Sequence, residues 1–95
     1  MEVNKSDIVR SLAGRDKDEY FFVVGLEGEY VLLADGKRRK LEKPKRKKRM
    51  HVCQAARTAS RVAEKLSTGD KVLNSELRRE LADFRQKFLC QNQGG

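Results

Sequence analysis

The sequence predicts a mainly β chain with an α-helical tail: a small β-barrel of about five strands followed by two C-terminal helices. Aromatic and β-branched runs separated by glycine-containing turns fill residues 7–35. From residue 55 the apolar period becomes that of a helix. Between these two regions lies a block of charge. The 95-residue chain is formally +8, and residues 37–49 hold ten basic residues against one acid, Glu42, for a local net of +9. Residues 1–36 hold 4 basic and 8 acidic residues, net −4.

Ile8 and Val9 open a short apolar strand that ends at Ala13-Gly14. Arg15–Glu19 is charged and reads as a loop. The run Tyr20-Phe21-Phe22-Val23-Val24-Gly25-Leu26 suits a strand, because branched and aromatic side chains pack well on a pleated surface. Glu27-Gly28 reads as a turn and Glu29–Ala34 as the partner strand. Asp35-Gly36 is the strongest hairpin signal in the chain, and it predicts a further strand over Lys37–Leu41. With Leu41 as its one apolar member, that strand belongs at a sheet edge, where lysines discourage pairing with other chains. Pro44 ends it, since proline cannot donate to a ladder. A last strand is expected near Arg49–Gln54, with Met50 and Val52 on one face and His51 and Cys53 on the other. Five short strands favour closure, which removes most exposed edges.

Residues 1–54 thus form the barrel and 55–95 a helical extension. Ala55, Ala59, Val62, Ala63 and Leu66 fall at helical spacing, and Gly69 fits the residue just past that helix. Asn74 or Ser75 suits the cap of a second helix, whose Leu77, Leu81, Phe84 and Phe88 form one apolar stripe. Asp83 and Lys87 make a favourable i, i+4 pair. Neither helix is long enough to stand alone in water, so the stripe is expected to pack on the barrel, with docking on a partner as the other reading.

Several functions are excluded by composition. Hydrophobic residues are 38% of the chain and tryptophan is absent, which argues against a large enzyme cleft. The longest apolar run, Phe21–Leu26, is six residues, against about 18 for a membrane span. The first five residues hold no apolar stretch of signal-peptide length. Cys53 and Cys90 do not make a secreted disulfide framework, so a reducing cytoplasm with free thiols is expected. One His and two Cys fall short of the four ligands a zinc site needs, and His51 beside Cys53 has no orienting group in view for nucleophilic catalysis. No catalytic residue, metal or cofactor is expected.

The basic block carries the functional signal. Lys37, Arg38, Arg39, Lys40, Lys43, Lys45, Arg46, Lys47, Lys48 and Arg49 would attract phosphates irrespective of sequence, through counterion release, and arginine adds bidentate and stacking geometry. A solvated charge run or an import tag is the plainer reading. In the loop Ala13–Asp18, Gly14 permits a tight backbone and Arg15 and Lys17 are further candidate phosphate contacts, unless Arg15 and Asp16 simply offset each other. Tyr20 and Tyr30 are candidates for base stacking, although each aromatic in so small a chain has value as core.

The stretch Val9–Lys17 followed by Tyr20–Gly25, continued by Tyr30–Lys48, resembles the KOW motif. Over roughly residues 5–54 the chain looks like bacterial KOW-domain RNA-binding proteins, which are similar to the large-subunit ribosomal protein family called fourteen-e. The resemblance implies an SH3-like barrel that binds RNA, ribosomal RNA in the better-known relatives, and a first inter-strand loop that approaches it. Gly14, Arg15 and Lys17 thereby join the basic block as expected RNA contacts. Two positions depart from the family pattern. Asp18 stands where a glycine usually follows the basic loop position, and Asn4-Lys5-Ser6 where a glycine is common near the first strand.

The expectation is therefore an RNA-binding protein of the translation apparatus, not an enzyme. RNA is the expected partner, with a ribosomal or other protein partner open to the C-terminal helices. A protein-interaction module and a non-specific DNA-binding protein are the alternatives. The acidic N-terminal segment is expected to keep RNA on one face.

Overall fold

Among the described residues of this computed structural model, 3–57 and 60–93, five strands precede two helices. The strands are β1 (Ile8–Ser11), β2 (Tyr20–Glu27), β3 (Tyr30–Ala34), β4 (Lys45–Lys48) and β5 (Val52–Ala56). A three-residue 3-10 turn, Arg49–His51, joins β4 to β5. The helices are α1 (Arg61–Thr68) and α2 (Asn74–Gln93). The strands form one sheet in the order β4-β3-β2-β1-β5, every neighbouring pair antiparallel.

Side chains alternate across this sheet, and both faces are buried. Val9, Phe21, Val23, Val31, Leu33 and Val52 gather with Val3 on one face. Ile8, Phe22 and Ala34 point to the other, where Val62 and Leu66 of α1 and Leu77 and Leu81 of α2 cover them. Phe21 and Phe22 are consequently both buried, each in a different core. Burying Leu77 and Leu81 completely contributes about 2 kcal/mol each, which is what holds α2 as a helix. Tyr20 extends this core, with its ring edge-on to Phe84 at 5.3 Å. The expected Asp83–Lys87 pair is present at 3.1 Å. Gly69 closes α1 with φ +82°, as its position suggested.

Two elements differ from the sequence expectation. Lys37–Leu41 is not a strand. The Asp35 carboxylate accepts from the backbone N–H groups of Lys37 and Arg39, both at 2.9 Å, so the donors a ladder would need are already used. Gly36 turns the chain at φ +79°, and β4 begins only after Pro44. The last strand is displaced as well: Arg49–His51 forms the 3-10 turn, and β5 runs to Ala56 and takes in Ala55, which the helical spacing had claimed. Ala59 and the Cys90 side chain lie outside the described residues.

The start of α2 also differs in detail. Leu73, not Asn74 or Ser75, occupies the cap position. Its carbonyl accepts from the N–H of Glu76 and of Leu77, while Glu76 reaches back to accept from the Leu73 N–H at 3.0 Å. Asn74 is left free of that duty and bonds elsewhere.

Gly36 is required twice. Its φ lies in the left-handed region, and a Cβ there would overlap the carbonyl oxygen of Asn74. Gly28 shares the positive φ but has nothing within 4 Å of such a Cβ. Gly36→Ala should therefore cost about 3 kcal/mol and Gly28→Ala about 1 kcal/mol. Urea unfolding of the two variants measures the difference, and equal losses would refute the close approach of loop and helix.

Candidate nucleic-acid interface

Three separate segments build the basic surface: the β1–β2 loop, the β3–β4 loop and β4. The β3–β4 loop would repel itself if left free, but two sets of bonds fix it. Inside the loop, Asp35 ties the backbone of Lys37 and Arg39. From outside, α2 holds both of its ends. Arg78 donates to the Gly36 carbonyl at 2.6 Å, and Asn74 accepts from the Leu41 N–H at 2.8 Å and donates to Glu42 at 2.7 Å. The side chains of Lys37, Arg38, Arg39 and Lys40 are left exposed on a fixed backbone.

The β1–β2 loop is fixed by Asp16, which is 9% exposed. One carboxylate oxygen accepts from Ser11 Oγ at 2.8 Å and Lys47 Nζ at 2.6 Å, and the other accepts from Lys45 Nζ at 2.7 Å. Lys47 Nζ also donates to the Ala13 carbonyl at 2.7 Å. Burial acts to raise the Asp16 carboxyl, but the hydrogen bonds from Lys45, Lys47 and Ser11 outweigh it and hold the group well below the usual carboxylate range. The loop ends at Asp18, whose φ of +71° places a non-glycine residue in the left-handed region.

Asp16 thereby locks the loop against β4 and brings Arg15 beside the neighbouring loop. Arg15, Arg38, Arg39 and Lys45 surround a concavity of about 230 Å³, with Asp16 and Phe21 in its lining. Lys45 is paired with Asp16, so Arg15, Arg38 and Arg39 are the cations this opening offers an anionic group, and their guanidinium forks suit the bidentate geometry of phosphate oxygens.

The remaining sequence candidates separate into distinct environments. Gly14 (φ +86°) and Lys17 are exposed on the β1–β2 loop, and Lys43 is exposed just before Pro44. Along β4 the side chains alternate. Lys45 and Lys47 turn to Asp16, whereas Arg46 and Lys48 point outward and are exposed. Lys47 is only 8% exposed and already bonded twice, so its charge serves the loop rather than the open surface. Arg49 is half-buried and donates to the Gly28 carbonyl at 3.0 Å.

The acids do not stand apart from this surface. Asp16 lies inside it, and Glu27 lies 3.8 Å from Arg46. The expected segregation of an acidic N-terminal face is therefore corrected: the acids interleave with the cations because they position them. Arg15 and Asp16 do not offset each other either, since the Asp16 carboxylate bonds Lys45 and Lys47. Asp16, Asn74 and Arg78 are the residues that sequence reasoning passed over.

Among the described residues no group of three His, Cys, Asp or Glu side chains could hold a metal ion. Among the same residues no helix is long and apolar enough to cross a membrane. Comparison with protein-family models and with curated proteins finds no match for the chain.

The Asp16 lock has a pH signature. A carboxyl held below its unfolded value stabilises the fold fully above about pH 4, and that stabilisation is lost as pH falls through the folded value. Asp16→Asn should cost roughly 3 kcal/mol at pH 7, because it leaves the buried Lys47 ammonium without its counter-charge. The gap between wild type and variant should narrow below about pH 4. Urea unfolding from pH 7 to pH 2 measures it, and a gap constant across that range would show that the carboxylate charge is not what holds the loop.

Proposed function

We propose that this chain is an RNA-binding protein of the translation apparatus, built on an SH3-like KOW barrel and directed at RNA phosphates, those of ribosomal RNA first. The observation that carries the reading is the convergence of Arg15 with Arg38 and Arg39 around one concavity. These residues come from two loops, with Arg15 lying 23 positions before Arg38. A solvated charge run gives no reason for two loops to be fixed in this way.

Barrel closure is supported by chain geometry. In a flat five-stranded sheet the outer strands would lie about 19 Å apart. Here the outer strands β4 and β5 are consecutive, and the three residues Arg49–His51 join them. A 3-10 turn rises only about 2 Å per residue, so the sheet must curl to bring its edges together at that end. The buried residues of the cluster around Val9, Phe21 and Val31 likewise all come from strands, Val3 apart.

The resemblance to KOW proteins gains support at its two departures. Asp18 stands where that pattern carries glycine, and Ser6 lies in the Asn4-Lys5-Ser6 stretch where a glycine is common; both have positive φ, +71° and +79°. The backbone geometry that glycine would serve is retained, with short polar side chains that tolerate it.

A protein partner is the second reading, favoured by Met50, which is 73% exposed in the β4–β5 connection. Salt dependence separates the two. If about five phosphates of a single-stranded RNA are engaged, log K should fall against log salt with a slope near −3.5. Replacing Arg15, Arg38 and Arg39 together by Ala should shrink that slope by about 2 while leaving the fold intact, since the Asp16 lock does not involve them. An RNA affinity that is flat with salt, or unchanged in the triple variant, would turn the assignment to the protein partner. Equal affinity for duplex DNA would turn it to non-specific DNA binding. Co-sedimentation with ribosomes in low and high salt then tests the ribosomal assignment.

A further inference from the structure

The two tyrosines singled out in the sequence have different fates. Tyr20 is committed to the core, edge-on to Phe84 and to Phe88. Tyr30 is not. It lies on the outward face of β3, directly opposite Glu27 on β2 and Lys48 on β4. The guanidinium carbon of Arg46 sits 4.0 Å above its ring centroid. Arg46 remains 60% exposed in its side chain, so the cation that covers the ring is itself open to solvent.

We infer that Arg46 and Tyr30 form a stacking platform for one unpaired nucleobase of an RNA strand, with the exposed Lys48 beside it for the adjoining phosphate. The inference rests on the RNA reading above and names the kind of RNA: one presenting a single-stranded or looped-out base. The ring quadrupole draws the guanidinium flat side down, and the delocalised cation then offers its own π-face outward. A base can add to that face as a third layer. Bases inside a duplex already have both faces covered by neighbours, so only an unpaired or terminal base can occupy the platform. The partner is anionic and planar at once, which fits the chemistry of this patch: two outward cations, Arg46 and Lys48, around one aromatic ring. Glu27, 3.8 Å from Arg46 Nε, is also exposed.

The platform is separate from the concavity around Arg15, Arg38 and Arg39. Lys45 lines that concavity and Arg46 is its neighbour along the chain, but successive strand residues point to opposite faces. The two subsites therefore share an edge of β4 without sharing a side chain.

The test compares a fluorescently labelled single-stranded oligoadenylate with an RNA duplex of the same length. The readout is the ratio of the two affinities, with log K measured against log salt. Wild type should prefer the single strand. Arg46→Lys keeps the charge and loses the flat face, so it should reduce that preference about tenfold with an unchanged salt slope. Tyr30→Leu should do the same, and Tyr30→Phe should retain the preference. A wild type without preference, or an Arg46→Lys variant that keeps it, overturns the platform and leaves the RNA reading standing. A wild type that binds neither RNA overturns both.

Discussion

The arrangement depends on one carboxylate. Asp16 accepts from two lysines of the same strand and from Ser11, and no other group among the described residues joins the β1–β2 loop to β4 by ion pairs. A strand of four consecutive basic residues is poor strand material on its own. It forms here because every second residue, Lys45 and Lys47, finds an anionic partner on one side of the sheet, while Arg46 and Lys48 stay exposed. The same bonds define where Arg15 lies. Local stability of an unpromising strand and the geometry of the basic surface are therefore one interaction, and the charge that creates the surface would disperse it without the acid at its centre.

The helical extension supplies the second constraint. Its apolar stripe buries Leu77 and Leu81 against Ile8, Phe22 and Ala34, which sets the height of α2 over the sheet. At that height its first turn meets the β3–β4 loop, and Asn74 and Arg78 bond the loop backbone at Gly36 and Leu41. Lys65 of α1 in turn holds Glu76, which closes the α2 cap. Core packing on one face of the sheet is thus transmitted to the cations at its end. The extension has a role even without a partner of its own: it holds a loop of net positive charge in a single conformation, and a prearranged loop loses less entropy on meeting an anion.

What the sequence disclosed follows from what each signal depends on. The Tyr20–Leu26 strand, the Gly28 turn and the Leu77–Phe88 stripe were legible because period and composition state them locally. The Asp35-Gly36 pair misled because a turn motif does not say whether the chain that follows pairs or closes on itself. Asp35 settles that with its own side chain, bonding the N–H groups of Lys37 and Arg39. Ala55 of β5 read as helix because it stands a helical step of four before Ala59, whereas the pairing of β5 to β1 is a long-range fact. Asp16 escaped for the same reason. Its nearest neighbour in sequence is Arg15, whereas its partners lie 29 and 31 residues away.

Counting charges consequently overstates the surface available to an anion and hides how it is divided. Of the ten basic residues in 37–49, Lys45 and Lys47 balance Asp16, and Arg49 caps a turn carbonyl. Arg46 lies on an aromatic ring. The exposed remainder is divided too: Arg38 and Arg39 of the loop border the concavity beside Arg15, and Lys48 lies with Arg46 on the outward face of β4. A linear run of +9 would bind any polyanion without preference. Folding withdraws part of that charge into structural ion pairs and places the rest at fixed positions. Positional restriction, not additional charge, is what gives such a surface a means of distinguishing one nucleic-acid shape from another.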